Sequence, residues 1–264
     1  MTPVIADLSV KKQKAGRVAY VNARLVDPAS TRDETGGLLT DGERIADLGS
    51  HITTDGLAND IEVIDAAGQG LAPGLVDMRA HLREPGFEHQ ETIHTGSRSA
   101  AVGGITTIAC MPSTDPTIDD VSLVHFIERR ARETSLVRVH PIAAITKDRK
   151  GEQLTEIGLL SEAGAVAFSD GLHTIMNANV LRRALSYGTI FNVLFIHHAE
   201  EMNLSGSGAM NSGEVSTRLG LPGMPAESEA IMVARDIRLA EMTGGRLHLA
   251  HITTIESIGL VRDA

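Results

Sequence analysis

Ionisable side chains gather at the end of one short apolar segment. Residues 71–78 are mostly apolar and favour a buried strand, and a Pro85-Gly86 turn follows them. Four ionisable residues stand between the segment and the turn: Arg79, His81, Arg83 and Glu84. An imidazole can bind a metal or carry a proton, and a guanidinium can hold a carboxylate. The pattern predicts polar chemistry at the C-terminal end of a strand, where parallel α/β folds build their sites.

Histidines also end two later segments with strand character. Residues 192–197 run into His197-His198-Ala-Glu-Glu201, and residues 246–251 end in His251. Asp170 follows a further short segment, residues 165–169. A single strand histidine is more often structural than catalytic, and an aspartate after a strand often caps a turn. Each of these residues is therefore weak support for a site by itself.

Strands and helices alternate from about residue 71 to the end of the chain. The predicted strands are 74–78, 105–111, 137–144, 165–169, 192–197 and 246–251. The predicted helices, several with an apolar stripe opposite charged residues, are 91–102, 121–134, 155–163, 179–188, 227–243 and 255–264. This rhythm predicts an α/β fold of the TIM-barrel type with about six of its eight β/α units.

Six units would leave two parallel strand edges unpaired, which favours association. We prefer the interpretation that the 264 residues are a piece of a longer chain. The alternative is a short protein that covers its edges by oligomerising.

The region before the barrel has a different pattern. Residues 1–16 are polar and predict a mobile leader, and residues 17–70 contain short strands between turn signals such as Asp27-Pro28 and Asp41-Gly42. We expect a small β-sandwich domain over residues 17–70 and an incomplete barrel domain over residues 71–264.

Composition excludes several classes of protein. The net charge of −10 argues against a nucleic-acid partner, and no apolar run is long enough to span a membrane. The single cysteine, Cys110, excludes an internal disulfide framework and suits a reducing compartment. The expected location is therefore the cytoplasm.

The segment Gly74-Leu-Val-Asp-Met-Arg-Ala-His-Leu-Arg-Glu-Pro-Gly86 resembles the opening motif of the dihydroorotases, within the amidohydrolase superfamily. Further segments are similar to the same family: 87–92, 103–112, 164–171, 197–201, 211–225 and 246–254. The resemblance implies that His81, His198 and His251 are zinc ligands and that Arg83 holds a substrate carboxylate. It places Ser113 where the family has a substrate-binding asparagine. His197 is expected to face away and pack, and His248 to be structural.

The chain departs from the family pattern at the metal site. Arg79 stands where the family has its first histidine, and a guanidinium has no lone pair to offer a metal. Gly171 stands at the bridging aspartate, so that Asp170 either shifts to replace it or caps a turn. The family's late aspartate has no counterpart, and no catalytic residue is assigned. We expect the charge of Arg79 to pair with Glu84, Asp170 or another nearby carboxylate.

These departures favour a dihydroorotase-like protein of de novo pyrimidine biosynthesis that is catalytically impaired, as in the metal-site-degenerate branch of the family. Such a protein would be an oligomer that serves as a scaffold for aspartate carbamoyltransferase, with its zinc lost or reduced to one ion. The alternative is an active zinc-dependent cyclic amidohydrolase that interconverts carbamoyl aspartate and dihydroorotate. Arg83 favours a carboxylate-bearing small molecule in either case.

Overall fold

The computed structural model of the chain describes residues 16–264, so nearly all of the predicted leader lies outside the described residues. The chain divides into two compact units, Met1–Leu75 and Val76–Ala264. The predicted domain boundary at residue 70 stays a prediction beside this division.

The first unit contains one five-stranded sheet with the order β3-β2-β1-β4, in which β5 also pairs with β1. Its strands are β1 (Arg17–Asp27), β2 (Arg32–Asp41), β3 (Arg44–Gly49), β4 (Glu62–Asp65) and β5 (Gly70–Leu71). Alternate residues of β1 are buried, and Ala19 and Val21 form a small core with Leu39 and Ile52. The second layer of the predicted sandwich stays a prediction.

The second unit is built on a six-stranded sheet with the order β13-β10-β9-β8-β7-β6. These strands are β6 (Leu75–Ala80), β7 (Ile105–Cys110), β8 (Arg138–Ala143), β9 (Ala167–Phe168), β10 (Leu194–His198) and β13 (Arg246–Ala250). The pairs from β7 to β13 are all parallel. Two further short strands, β11 (Met210–Asn211) and β12 (Gly223–Met224), pair with each other outside this sheet.

Helices follow the strands of this sheet in the order that the sequence predicts. They are α1 (Ile93–Val102), α2 (Val121–Thr134), α3 (Ile157–Glu162), α4 (Ala178–Gly188), α5 (Met202–Ser205), α6 (Glu214–Leu219), α7 (Glu227–Thr243) and α8 (Ile255–Asp263). Two single-turn 3₁₀ helices span Lys147–Arg149 and Thr189–Phe191. Among the described residues, no helix is both long and apolar enough to cross a bilayer.

The main core lies between the sheet and the helices of the second unit. Fully buried side chains include Phe168 and Phe195 from neighbouring strands, whose ring centroids are 5.8 Å apart. Helix starts are fixed by side chains that accept backbone hydrogen bonds, as Thr92 does for α1 and Asp120 for α2. This packing holds the C-terminal ends of the strands as a fixed platform.

Candidate functional site

The predicted site residues follow the C-terminal ends of the strands of the second unit. Arg79 lies near the end of β6, which leads to His81 and Arg83, and β7 leads to Ser113. His198 is the last residue of β10, and His251 comes directly after β13. The parallel sheet therefore brings residues far apart in the sequence to the same edge.

His81 and Ser113 are in direct contact. The Nδ1 atom of His81 lies 2.7 Å from the Ser113 Oγ, and both side chains are half-buried. The pKa of His81 is lowered by its burial and then by the positive charges of Arg79, Arg83 and Arg149. The imidazole is therefore held in its neutral form.

His198 and His251 form a second pair. Their Nδ1 atoms are 3.1 Å apart, and the Nε2 atom of His198 lies 2.8 Å from Glu200 Oε2. If the Nε2–H of His198 donates to Glu200, its Nδ1 is the acceptor and the Nδ1–H of His251 is the donor. The pKa of His251 is lowered by burial and then by the charge of Arg79, which thus acts on both His81 and His251.

A cavity of about 160 Å³ lies beside this second pair. His198, Glu200, Asn211, Glu229 and His251 are among the residues that line it. Glu229 accepts hydrogen bonds from the backbone N–H groups of Thr253 and Thr254, at 2.9 Å each. The carboxylate therefore fixes the loop that follows His251.

His197 faces the other side of β10, which confirms its prediction as a packing residue. It is buried, and its Nδ1 lies 2.6 Å from Asp236 Oδ2 on α7. Its Nε2 accepts a hydrogen bond of 3.0 Å from the backbone N–H of Ile175. His248 is exposed, and its charge contributes to the lowered pKa of His251.

Asp170 is buried, and its carboxylate binds the loop after β8. Its Oδ1 accepts the backbone N–H groups of Ile145 and Thr146 at 2.9 and 3.0 Å, and its Oδ2 accepts the Thr146 hydroxyl at 2.5 Å. Burial outweighs these bonds and raises the pKa of Asp170. The carboxylate is therefore not shifted into the position of Gly171, and its partners are 24 and 25 positions earlier in the chain rather than in the turn that was expected.

The expected ion pair of Arg79 with Glu84 or Asp170 is wrong. Glu84 is buried and binds the Nε of Arg130 at 2.6 Å and the backbone N–H of Ile93 at 2.9 Å. The cation that pairs with Glu84 is therefore Arg130 of α2 and not Arg79. The guanidinium of Arg79 has no salt bridge within the described part of the chain, and its buried Nε has no hydrogen-bond partner there.

Arg149 belongs to the site although the sequence analysis did not single it out. It lies in the loop after β8, and its Nη1 is 4.0 Å from the position that a Cβ at Gly171 would occupy. Its charge therefore stands next to the place of the family's bridging carboxylate. The sequence signal was the basic run Lys147, Arg149 and Lys150 shortly after a predicted strand.

The donors as placed do not fit a metal centre. Among residues 16–264, no group of three or more His, Cys, Asp and Glu side chains converges closely enough to hold an ion. His198 and His251 are together, but His81 contacts Ser113 instead of them. The assignment of these three histidines to zinc therefore stays a prediction from the resemblance.

Comparison with known proteins gives one consistent family. Residues 68–257 match the family described as Dihydro-orotase-like. A dihydroorotase of Pelotomaculum thermopropionicum is 49% identical over 241 residues, which cover 91% of this chain and 55% of that protein. A dihydroorotase of Syntrophus aciditrophicus is 44% identical over 248 residues, covering 94% of this chain and 58% of that protein. The chain thus spans a little over half the length of these curated relatives.

Solved structures agree on the fold. The L-hydantoinase (dihydropyrimidinase) from Arthrobacter aurescens has a TM-score of 0.76 and 22% identity, and the match covers 94% of this chain and 55% of that chain. A D-hydantoinase from a Thermus species has a TM-score of 0.68 and the same 22% identity, covering 93% of this chain and 54% of that chain. The predicted TIM-barrel-type amidohydrolase fold is therefore confirmed.

Proposed function

Because this chain belongs to the Dihydro-orotase-like family, we propose that it acts in pyrimidine biosynthesis on the pair carbamoyl aspartate and dihydroorotate. The observation that carries the proposal is the family match over residues 68–257, which includes every strand end of the candidate site. Arg83 lies within this match and would bind the carboxylate that both compounds carry.

The curated relatives favour ordinary catalysis, because they are named dihydroorotases at 44–49% identity. In this form of the proposal, the ring amide bond of dihydroorotate is cleaved by water to give carbamoyl aspartate, or the reverse reaction closes the ring. The family is generally metal-dependent. Arg83 would orient the ligand, and Ser113 would contact it by a hydrogen bond.

The site residues favour a second form, in which the chain binds this class of ligand but is impaired in catalysis. The specific observation is that Arg79 stands where the family pattern has a histidine. In addition, Arg149 lies beside Gly171, the position of the bridging carboxylate in that pattern. In this form the chain belongs to the degenerate branch of the family and is an oligomeric scaffold for aspartate carbamoyltransferase. A cytoplasmic location is part of both forms.

Ring hydrolysis and metal content decide between the two forms. The chain, purified without chelator, is assayed for conversion of dihydroorotate to carbamoyl aspartate, and its zinc is counted by elemental analysis. Turnover that is lost in Arg83→Gln but kept in Arg98→Gln, an exposed arginine of α1, would support the enzyme.

The scaffold form predicts a different result. It predicts no turnover, little zinc, and a complex with aspartate carbamoyltransferase that survives size-exclusion chromatography. Absence of turnover, of ligand binding and of the complex together would contradict the proposed function in both forms.

A further inference from the structure

Three arginines near the candidate site carry charges that reach the His81 imidazole. Arg79, Arg83 and Arg149 all act on His81, and we call these three arginines the cationic cluster. The Nη1 of Arg149 also lies 4.0 Å from the place that a Cβ at Gly171 would take, which fixes it next to the end of β9. The cluster therefore carries three positive charges near the point where the family pattern puts a metal.

The cationic cluster lacks protein counter-charges. No arginine of the cluster has a salt bridge with a carboxylate among residues 16–264. Asp77 accepts the backbone N–H of Arg79, and Asp170 is saturated by Ile145 and Thr146. Glu84 is bound to Arg130. These three carboxylates thus have other partners, and like charges held together are unfavourable without an anion between them.

Two atoms of the cluster are also short of hydrogen bonds. The Nε atoms of Arg79 and Arg149 are buried and have no partner in the described part of the chain. A buried donor without a partner destabilises a folded protein, and charged donors are the most costly. An oxyanion bound by these two half-buried side chains would supply the missing negative charge.

We propose that the cationic cluster is a metal-independent site for a small dicarboxylate, with Arg83 holding one carboxylate and Arg79 and Arg149 holding the other. This inference rests on the proposed function for the identity of its ligand, and it deepens that proposal. Fixed guanidinium charges replace the charge of a metal, so binding needs no ion.

The charge count gives the site a preference between the two compounds of the proposed reaction. Open-chain carbamoyl aspartate carries two carboxylates, whereas ring closure consumes one and leaves dihydroorotate with a single carboxylate. Only the open form can satisfy Arg83 and the other two arginines together. The cluster therefore selects the open-chain compound, by about 10-fold or more for the additional charged contacts.

Calorimetry on chelator-treated and untreated chain tests the inference. The probes are carbamoyl aspartate, dihydroorotate, succinate as a plain dicarboxylate and acetate as a monocarboxylate. We expect carbamoyl aspartate to bind equally with and without chelator, and dihydroorotate to bind about 10-fold more weakly or worse. Arg79→Gln and Arg149→Gln should each weaken the binding of carbamoyl aspartate by about 10- to 100-fold. Arg98→Gln should change nothing, and circular dichroism should show that all variants are folded.

The outcomes separate this inference from the proposed function. Succinate binding that depends on Arg79 and Arg149, with no advantage for carbamoyl aspartate, would keep the dicarboxylate site and remove the proposed ligand. Equal binding of both pyrimidine precursors, unaffected by Arg79→Gln and Arg149→Gln, would overturn the site and leave the function standing. Binding that appears only after zinc is added, or no binding of any dicarboxylate, would also overturn the site.

Discussion

Two sets of polar side chains lie near the strand ends of the second unit. They differ in whether their hydrogen-bonding atoms have partners within the protein. In the first set, which we call the buried polar layer, His197 binds Asp236 and Ile175, and Asp170 binds Ile145 and Thr146. In the cationic cluster, Arg79 and Arg149 have buried Nε atoms without partners among residues 16–264.

This difference in hydrogen bonding distinguishes residues that stabilise the fold from residues that are available to bind a ligand. A fully paired polar group stabilises the folded chain, and its removal leaves its partners buried without hydrogen bonds. A buried group without partners lowers stability and keeps its hydrogen-bonding capacity for another molecule. Substitutions in the buried polar layer should therefore lower stability, and those in the cationic cluster should lower affinity.

The largest effect is expected from Asp236→Ala. The substitution leaves the Nδ1 of buried His197 and the guanidinium of Arg235 without their carboxylate. Breaking a buried charged pair costs about 3–5 kcal/mol, to be measured by urea unfolding. Glu241→Ala, at an exposed position of the same helix, should stay within about 0.5 kcal/mol of the parent chain. A similar small loss for both variants would remove the distinction between the two sets.

Arg79→His is the next test, because it restores the histidine of the family pattern in the cationic cluster. We expect carbamoyl aspartate to bind about 10-fold more weakly, while the unfolding free energy is unchanged or higher because a buried donor without a partner is removed. Zinc content should stay well below one ion per chain, since Gly171 still offers no carboxylate and Arg149 still lies beside it. Arg98→His is the matched control on α1. Stoichiometric zinc in Arg79→His alone would show that one residue governs the metal site.

A smaller effect is expected from the titration of Asp170 in the buried polar layer. Its raised pKa means that the folded chain binds this proton more tightly than the unfolded chain, whose carboxyl titrates near 3.8. The contribution of Asp170 to stability is therefore greatest below the unfolded pKa and declines as the pH rises through the folded one. The unfolding free energy of the parent chain relative to Asp170→Asn should fall as the pH rises above about 4. A rise over this range would show that the hydrogen bonds from Thr146 and Ile145 outweigh burial.

The smallest change is expected at Cys110, which is buried near the end of β7. Burial raises the pKa of this thiol to about 12. At about pH 8 almost no thiolate forms, so a thiol reagent should leave the folded chain unlabelled and react after urea is added. Rapid labelling of the folded chain would show that this strand end opens to solvent.

The sequence predicted most elements of the second unit, because their apolar periodicity is clear, but it missed the short helices α5 and α6. Helices α2 and α7 begin and end at the predicted residues, and every predicted barrel strand is present within a few residues. Local sequence patterns are enough to predict such elements, since helix faces and strand ends depend on residues that are close in the sequence.

The site was less predictable, because its contacts join distant residues. The partner of Glu84 is Arg130, 46 positions later, and nothing near Glu84 in the sequence distinguishes this arginine from Arg79. Arg149 was missed for the same reason, since only the sheet brings the loop after β8 beside Gly171. The resemblance indicated which positions matter, but not which residues of this chain fill the space of a replaced side chain.

The backbone of Arg83, Arg149 and His251 has a consequence for how this sequence can change over time. All three residues have φ near +60° in the segments that follow β6, β8 and β13, at 62°, 58° and 61° respectively. Glycine adopts this conformation without steric cost, whereas a residue with a Cβ is strained there. Drift without selection for the side chains should replace these residues by glycine or asparagine. If closely related proteins keep arginine at positions 83 and 149, selection for ligand binding has continued. Glycine at both positions would indicate that this selection has been lost.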